Sequence, residues 1–213
     1  MGSVWGIGLN YSSKQQATGR ALPECPTLFV KAAASLQVGG GTVTLPPAAP
    51  DQVDYEGEIA VVIGADLYQA SVRDATRSVA LVAAANDLTA RNVLRTTGNP
   101  TLAKSFPGFG QLSNVFVDAE TLGGLHDIPL VTTVGGEVRQ SDTSNGLIMT
   151  VGEVVAFLSR YVALRRGDVV LTGTPAGTGD EAGVYLSGGD TVTVTVADLP
   201  PLRTDIVTAG VTT

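Results

Sequence analysis

Glu56 and Glu58 stand on either side of a glycine, immediately before the unbroken apolar run Ile59 to Ile63. A strand has a side-chain period of two, so residues i and i+2 project from one face. The run has the pattern of a strand covered on both sides. Two carboxylates therefore share one face where a buried strand begins. Left bare, the pair would raise one pKa or cost on the order of several kcal/mol. A bound cation relieves the conflict. Asp87 follows after one strand, one helix and one returning strand, a unit that brings the end of the second strand beside the start of the first. Glu56, Glu58 and Asp87 then form an all-oxygen set. Hard oxygen ligands select Mg²⁺, Mn²⁺ or Ca²⁺ over zinc, and three carboxylates leave positions open for water or substrate.

The elements that must position these acids are short strands punctuated by Gly, Pro and Asn or Asp. Residues 53–64 hold the first long strand. Residues 71–79 read as a helix, with Val72, Ala75 and Val79 at helical spacing and Ser71 as N-cap. Residues 81–85 form a buried strand ending in Asn86 and Asp87. Residues 130–134 and 137–140 flank Gly135 and Gly136, a two-residue hairpin signal. A second helix spans 151–160, its apolar stripe made by Val154, Val155, Leu158 and Tyr161. Residues 166–173 and 188–196 each have a turn-then-strand form, read as two strand pairs, with Val192, Val194 and Val196 on one face. The expected class is α+β and β-rich, one domain over residues 1–213, with a few helices outside a sheet system that curls on itself.

Composition narrows the partners. The chain has 213 residues, 44% hydrophobic and 15% charged, with a net charge of −7. That balance disfavours nucleic acid or an anionic membrane, both of which need basic patches. An anionic small molecule stays compatible only where a local cation or metal overrides the global field. A single cysteine, Cys25, forms no internal disulfide and reads as a small core or loop residue. No signal peptide and no apolar stretch near the ~20 residues of a membrane helix is evident, so a cytoplasmic location is the expectation. Lysine occurs only at positions 14, 31 and 104.

The stretches AspTyrGluGlyGluIleAlaValValIleGly, AlaAsnAspLeuThrAlaArg, LysSerPhe and LeuThrGlyThrProAlaGlyThrGly follow one another in the chain. GlyLeuAsnTyr at 8–11 and GlyGluValArgGln at 136–140 accompany them. In this order they resemble the fumarylacetoacetate hydrolase family over about residues 6–200. The resemblance implies a mixed β-roll, usually a homodimer, with Mg²⁺ or Mn²⁺ on Glu56, Glu58 and Asp87. It implies a small 2-oxo acid or 1,3-dicarbonyl substrate that is cleaved, decarboxylated, hydrated or tautomerised. Lys104 matches the active-site lysine of the family. Partly desolvated beside a metal, it is expected to have a depressed pKa suited to holding an enolate or moving a proton. Thr174, in a Gly-rich turn that can cradle a carboxylate, is the expected substrate contact. By motif position Tyr11, Arg91 and Gln140 join it.

The departures from the family pattern are as informative. In hydrolytic members, GlyLeuAsnTyr is followed by a His three residues on and a Glu three further, which together activate water. Here those positions are Lys14 and Ala17. The one histidine, His126, lies in a loop without a matching motif. After Arg91, the acid and glutamine of the family are Asn92 and Leu94. Hydrolysis needs a base worth roughly 10²–10⁴ in rate. Chemistry that needs only a metal-stabilised enolate and a proton shuttle survives its loss. The expectation is therefore a metal-dependent lyase or isomerase, with Lys104 on the enolate and Lys14 as a candidate base. The alternatives are C–C hydrolysis with Lys14 as substitute base, and a non-catalytic relative that binds a metabolite.

Overall fold

The computed structural model describes residues 2–209. Among the described residues, thirteen of fifteen strands form two main sheets, with short helices outside them. The larger sheet has eight strands and curls on itself. Its central order runs Thr27–Lys31, Val4–Gly8, Val169–Leu171, Gly57–Ile63, Val79–Asp87 and Gly110–Leu112. The smaller sheet has five strands, ordered Glu137–Thr143, Pro129–Val134, Thr191–Val196, Leu202–Val207 and Gly41–Thr44. This is the β-rich mixed class that the sequence pattern implies. Residues 166–173 and 188–196 do not pair as neighbours, however. Val169–Leu171 joins the large sheet and Thr191–Val196 the small one.

Alternation along Gly57–Ile63 separates two jobs. Ile59, Val61 and Ile63 enter the main core with Val192, Val194 and Val196 of the opposite sheet. Each such side chain, fully buried, contributes roughly 1.5–3 kcal/mol. Ala60 points the other way, into a smaller cluster with Ala83, Ala85, Leu112 and Leu171. The period of two places Glu56 and Glu58 on the Ala60 side. Glu58 pairs in register with Ala85, so Asp87 lands on that side too. The main core is thus built on one face of the sheet and the acids on the other.

Residues 53–64 are two strands, Val53–Asp54 and Gly57–Ile63, parted at Tyr55 and Glu56. The break lets Val53–Asp54 pair with Thr89–Ala90 in a separate two-stranded ribbon above the acids. The Val72–Ser78 helix begins at Ser71, whose side chain accepts the Asp74 N–H. The Val151–Ser159 helix opens with a capping box of Thr150 and Glu153. Gly135 and Gly136 both have positive φ, as the hairpin between Pro129–Val134 and Glu137–Thr143 demands. Three helices that the apolar periodicity does not announce, Ser12–Thr18, Arg91–Thr97 and Pro100–Ala103, surround the acidic face.

At Gly57 the two sheets approach closely. A Cβ there would stand 1.9 Å from Thr132 Oγ1 and 3.2 Å from Gln140 Oε1. Thr132 is fully buried and its hydroxyl has no partner among the described residues. In urea unfolding, Gly57→Ala should cost about 1–3 kcal/mol through overpacking. Combining it with Thr132→Ala should return part of that loss. Simple addition of the two losses would show that this contact does not set the sheet spacing.

Candidate active site

Glu56, Glu58 and Asp87 each offer an oxygen within 4.8 Å of the others, and all three residues are buried. The returning strand brings them together: the Asp87 N–H donates to the Glu56 carbonyl at 2.8 Å. Opposite ligands of a cation bound at ~2.1–2.4 Å stand ~4.2–4.8 Å apart, so the spacing suits a hard divalent ion. The donor chemistry agrees. Glu56 is engaged by Arg91 (2.5 Å) and Lys104, and Asp87 by Lys31 and Lys104 (2.7 Å). Glu58 accepts a single hydrogen bond among the described residues, from the Gly173 N–H at 2.7 Å. Burial, with Asp87 and Glu56 beside it, pushes the Glu58 carboxyl well above the ordinary glutamate range. Glu56 moves the other way: burial would raise it, but Lys104 and Arg91 hold it below that range.

Lys104 caps the Pro100–Ala103 helix at its C-terminal end. Its ammonium reaches Glu56, Asp87 and Thr89 (2.8 Å) and sits 4.9 Å from the centre of the Phe29 ring. Gly6 leaves room for that ring, since a Cβ at Gly6 would lie 2.2 Å from it. The expected depression of Lys104 is not found. Burial lowers it, but Asp87 and Glu56 more than offset this and hold it above the ordinary lysine range. The lysine that is pulled down is Lys31. It is completely buried, hydrogen-bonded to Asp87 and to the Phe109 carbonyl at 3.2 Å, and there burial outweighs the nearby carboxylate. Only its rarity drew attention to Lys31 in the sequence, because its strand carries no chemical signature.

These groups floor a cavity of about 540 Å³. Lys14, Glu56, Glu58, Arg91, Lys104 and Thr174, all expected site residues, line it. Asp87 joins them through the acid cluster. Tyr11 and Gln140, expected to meet substrate, do not line the cavity. Tyr11 is fully buried, its hydroxyl has no partner among the described residues, and its pKa is raised by burial and then by Asp142 and Glu58. Gln140 donates to Thr174 Oγ1 (2.8 Å) and Pro175 O (2.9 Å) and accepts from Gly57 N (3.0 Å). Thr174 in turn donates its hydroxyl to Gly57 O at 2.9 Å. Gln140 therefore locks the 172–175 turn to the strand that carries the acids. Arg91 is committed as well, to Asp54 (2.8 Å) and Glu56. Asn10 ties its own loop to the turn, donating to Thr172 O at 2.9 Å and to Met149 O at 3.0 Å.

The cavity wall shows what the departures from the family pattern do. Leu94 faces the cavity as an apolar side chain, while Asn92 turns away and donates to Ala48 O at 2.6 Å. Arg20 and Arg95 add positive charge to the lining. Asp180, paired with Arg95, also lines the cavity, so Lys14, Arg20, Arg91, Arg95 and Lys104 exceed the acidic groups Glu56, Glu58 and Asp180 of the lining, a local excess compatible with an anionic ligand. His126 and Cys25 are both exposed, and neither lines the cavity.

Residues 3–207 match the family model described as fumarylacetoacetate (FAA) hydrolase C-terminal. The chain belongs to this family. It is 36% identical over 196 residues to the oxaloacetate tautomerase YcgM of Escherichia coli, covering 89% of this chain and 85% of that protein. The chain spans between 44% and 85% of the length of the curated relatives it matches. Among solved structures it resembles 5-carboxymethyl-2-hydroxymuconate delta-isomerase from Mycobacterium smegmatis, with a TM-score of 0.85 and 31% identity over 98% of this chain and 79% of that one. It also resembles fumarylpyruvate hydrolase from Pseudomonas aeruginosa, solved with Mn²⁺ and pyruvate, at a TM-score of 0.87 and 26% identity, covering 98% and 91% of the two chains. No helix among the described residues is long and apolar enough to cross a membrane.

The raised Glu58 carboxyl has a thermodynamic consequence. Between the ordinary value of 4.5 and the raised one, the folded state binds more protons than the unfolded state, so stability falls as pH rises through that window. In EDTA-treated protein, Glu58→Gln should be more stable than wild type at pH 8, by on the order of 1 kcal/mol or more. The difference should shrink towards pH 4.5. Saturating Mn²⁺ should favour wild type over the variant. Urea midpoints that show the same gap at both pH values would refute the assignment.

Proposed function

We propose that this chain is a divalent-metal-dependent lyase or isomerase, foremost a tautomerase of small 2-oxo acids. Decarboxylation and C–C cleavage through the same enolate are related outcomes. The observation that carries the proposal is the buried triad Glu56, Glu58 and Asp87 beneath a basic cavity, with Lys104 bonded to two of its members. Similarity to an oxaloacetate tautomerase and to a delta-isomerase supports the same reaction class. Held by the three carboxylates, Mg²⁺ or Mn²⁺ would supply Lewis-acid stabilisation of charge developing on the substrate oxygens.

The residues of the chain do the rest. Lys104, held protonated by Asp87 and Glu56, offers its positive charge to an enolate oxygen. Phe29, Ile7 and Leu94 line the cavity and exclude water, which strengthens that attraction. The 172–175 turn, fixed by Gln140, borders the space for the substrate carboxylate. Thr174 reaches an anion only by releasing one of its present partners. Lys14, across the lining, is the group proposed to move a proton at carbon.

Purified protein with Mg²⁺ should accelerate enol–keto exchange of oxaloacetate, followed by the loss of enol absorbance, and EDTA should remove the activity. Lys104→Gln should lower kcat by roughly 10²-fold or more. Acylpyruvates should exchange C3 protons in D₂O with little cleavage. Absence of metal-dependent turnover across 2-oxo acids and 1,3-diketones would sink the enzyme assignment. Rapid acylpyruvate hydrolysis that is lost in Lys14→Ala would instead make this chain a hydrolase.

A further inference from the structure

The chain's three lysines differ in how many donors they have left. An ammonium carries three N–H groups. Lys104 spends its set on Glu56, Asp87 and Thr89. Lys31 has a wholly buried side chain and does not line the cavity. Lys14 does line it, with a side chain 10% exposed. Its Nζ makes two 2.5 Å contacts among the described residues, to Thr178 Oγ1 and to Glu181 Oε1. One N–H is left for a ligand.

The acid that holds Lys14 lies 167 residues away in sequence. Glu181 sits at the surface, yet its side chain is only 17% exposed. Its Oε2 accepts the Gly177 N–H at 2.9 Å, and its Oε1 accepts the Thr178 hydroxyl at 3.1 Å as well as Lys14. The carboxylate is therefore anchored to the backbone of its own turn before it reaches the lysine. Such an anchor restricts the swing of a long, flexible side chain, which is what a proton-transfer group needs.

We propose that Glu181 is a positioning residue, which fixes the Lys14 ammonium at the cavity wall as the proton donor to substrate carbon. The proposal rests on the tautomerase reading above. In ketonisation the enol O–H proton passes to solvent, and the new C3–H bond forms as one Lys14 N–H bond breaks. The neutral amine, still beside Glu181, regains a proton from water. In the reverse direction that amine takes the C3 proton. No oxidant or further reactant enters.

The test is a double-mutant cycle on Mg²⁺-loaded protein, with steady-state ketonisation of enol-oxaloacetate as the assay and thermal unfolding as the check on fold. Glu181→Gln should lower kcat about tenfold or more and leave KM within about twofold, because the lost geometry acts on the transition state. Glu181→Asp, which keeps the charge, should recover part of the rate. Lys14→Ala/Glu181→Ala should be no slower than Lys14→Ala, since a residue that acts through Lys14 has nothing left to act on. A further loss in the double variant, or wild-type kcat in Glu181→Gln, overturns the proposal.

A second measurement needs no turnover. Reductive methylation of the protein as purified, read by peptide mass spectrometry, should modify Lys14 more slowly in wild type than in Glu181→Gln. Equal rates overturn the ion pair. If wild type turns over no 2-oxo acid, the tautomerase reading fails by itself, and the labelling still decides whether Glu181 holds Lys14.

Discussion

Four carboxylates are buried side by side at the mouth of one strand, and the rest of the site is arranged around them. Asp54, Glu56, Glu58 and Asp87 are each at most 6% exposed. Isolated ions of this kind would cost several kcal/mol apiece, on the order of the effective desolvation penalty. Arg91 bridges Asp54 and Glu56, Lys104 bridges Glu56 and Asp87, and Lys31 closes on Asp87. Glu58 is the member that no side-chain cation reaches. Three protein cations leave the four carboxylates one formal charge short of neutral. Burial, with Asp87 and Glu56 close by, holds the Glu58 carboxyl above the ordinary glutamate range.

Satisfying these acids fixes the local architecture. Arg91 must open a helix directly after the Thr89–Ala90 ribbon to reach Asp54 and Glu56 together. Asp54 also accepts the Gly179 and Asp180 N–H groups, at 2.7 and 3.0 Å, which binds the turn carrying Thr178 and Glu181 to the same cluster. The Gly173 N–H serves Glu58 from a glycine at φ 99°, a conformation that an L side chain rarely adopts. A single electrostatic demand therefore gathers segments from five parts of the chain. On the opposite face, apolar side chains do the stabilising.

The acidic face carries the motifs shared with the family, and this chain's own residues set the wall above it. Leu94 makes one side of the cavity apolar, and Arg20 and Arg95 make its rim basic. Ala17 supplies no carboxylate beside Lys14, yet Lys14 finds one in Glu181. The partner acid is thus distant in sequence, where a comparison of the local motif does not look.

Much of the acidic face was legible in the sequence. Period-two geometry put Glu56 and Glu58 on one face, and an intervening helix with a returning strand brought Asp87 to them, because backbone pairing obeys local rules. Turn chemistry was equally readable: Ser71 caps its helix and Gly135–Gly136 closes its hairpin. Charge partners were not. The low pKa expected of Lys104 belongs instead to Lys31, because net shift depends on how many carboxylates each ammonium meets after burial. The Ser12–Thr18 helix bears polar residues and shows no apolar stripe, so periodicity is silent where Lys14 sits. Gln140 reads as a substrate ligand in its motif and braces the two sheets, and Glu181, which no motif singles out, meets Lys14. The sequence by itself determined which residues carry charge and which strand faces they share. Only tertiary structure decided which charges meet, because ion pairs form between segments whose separation along the chain places no limit on their approach.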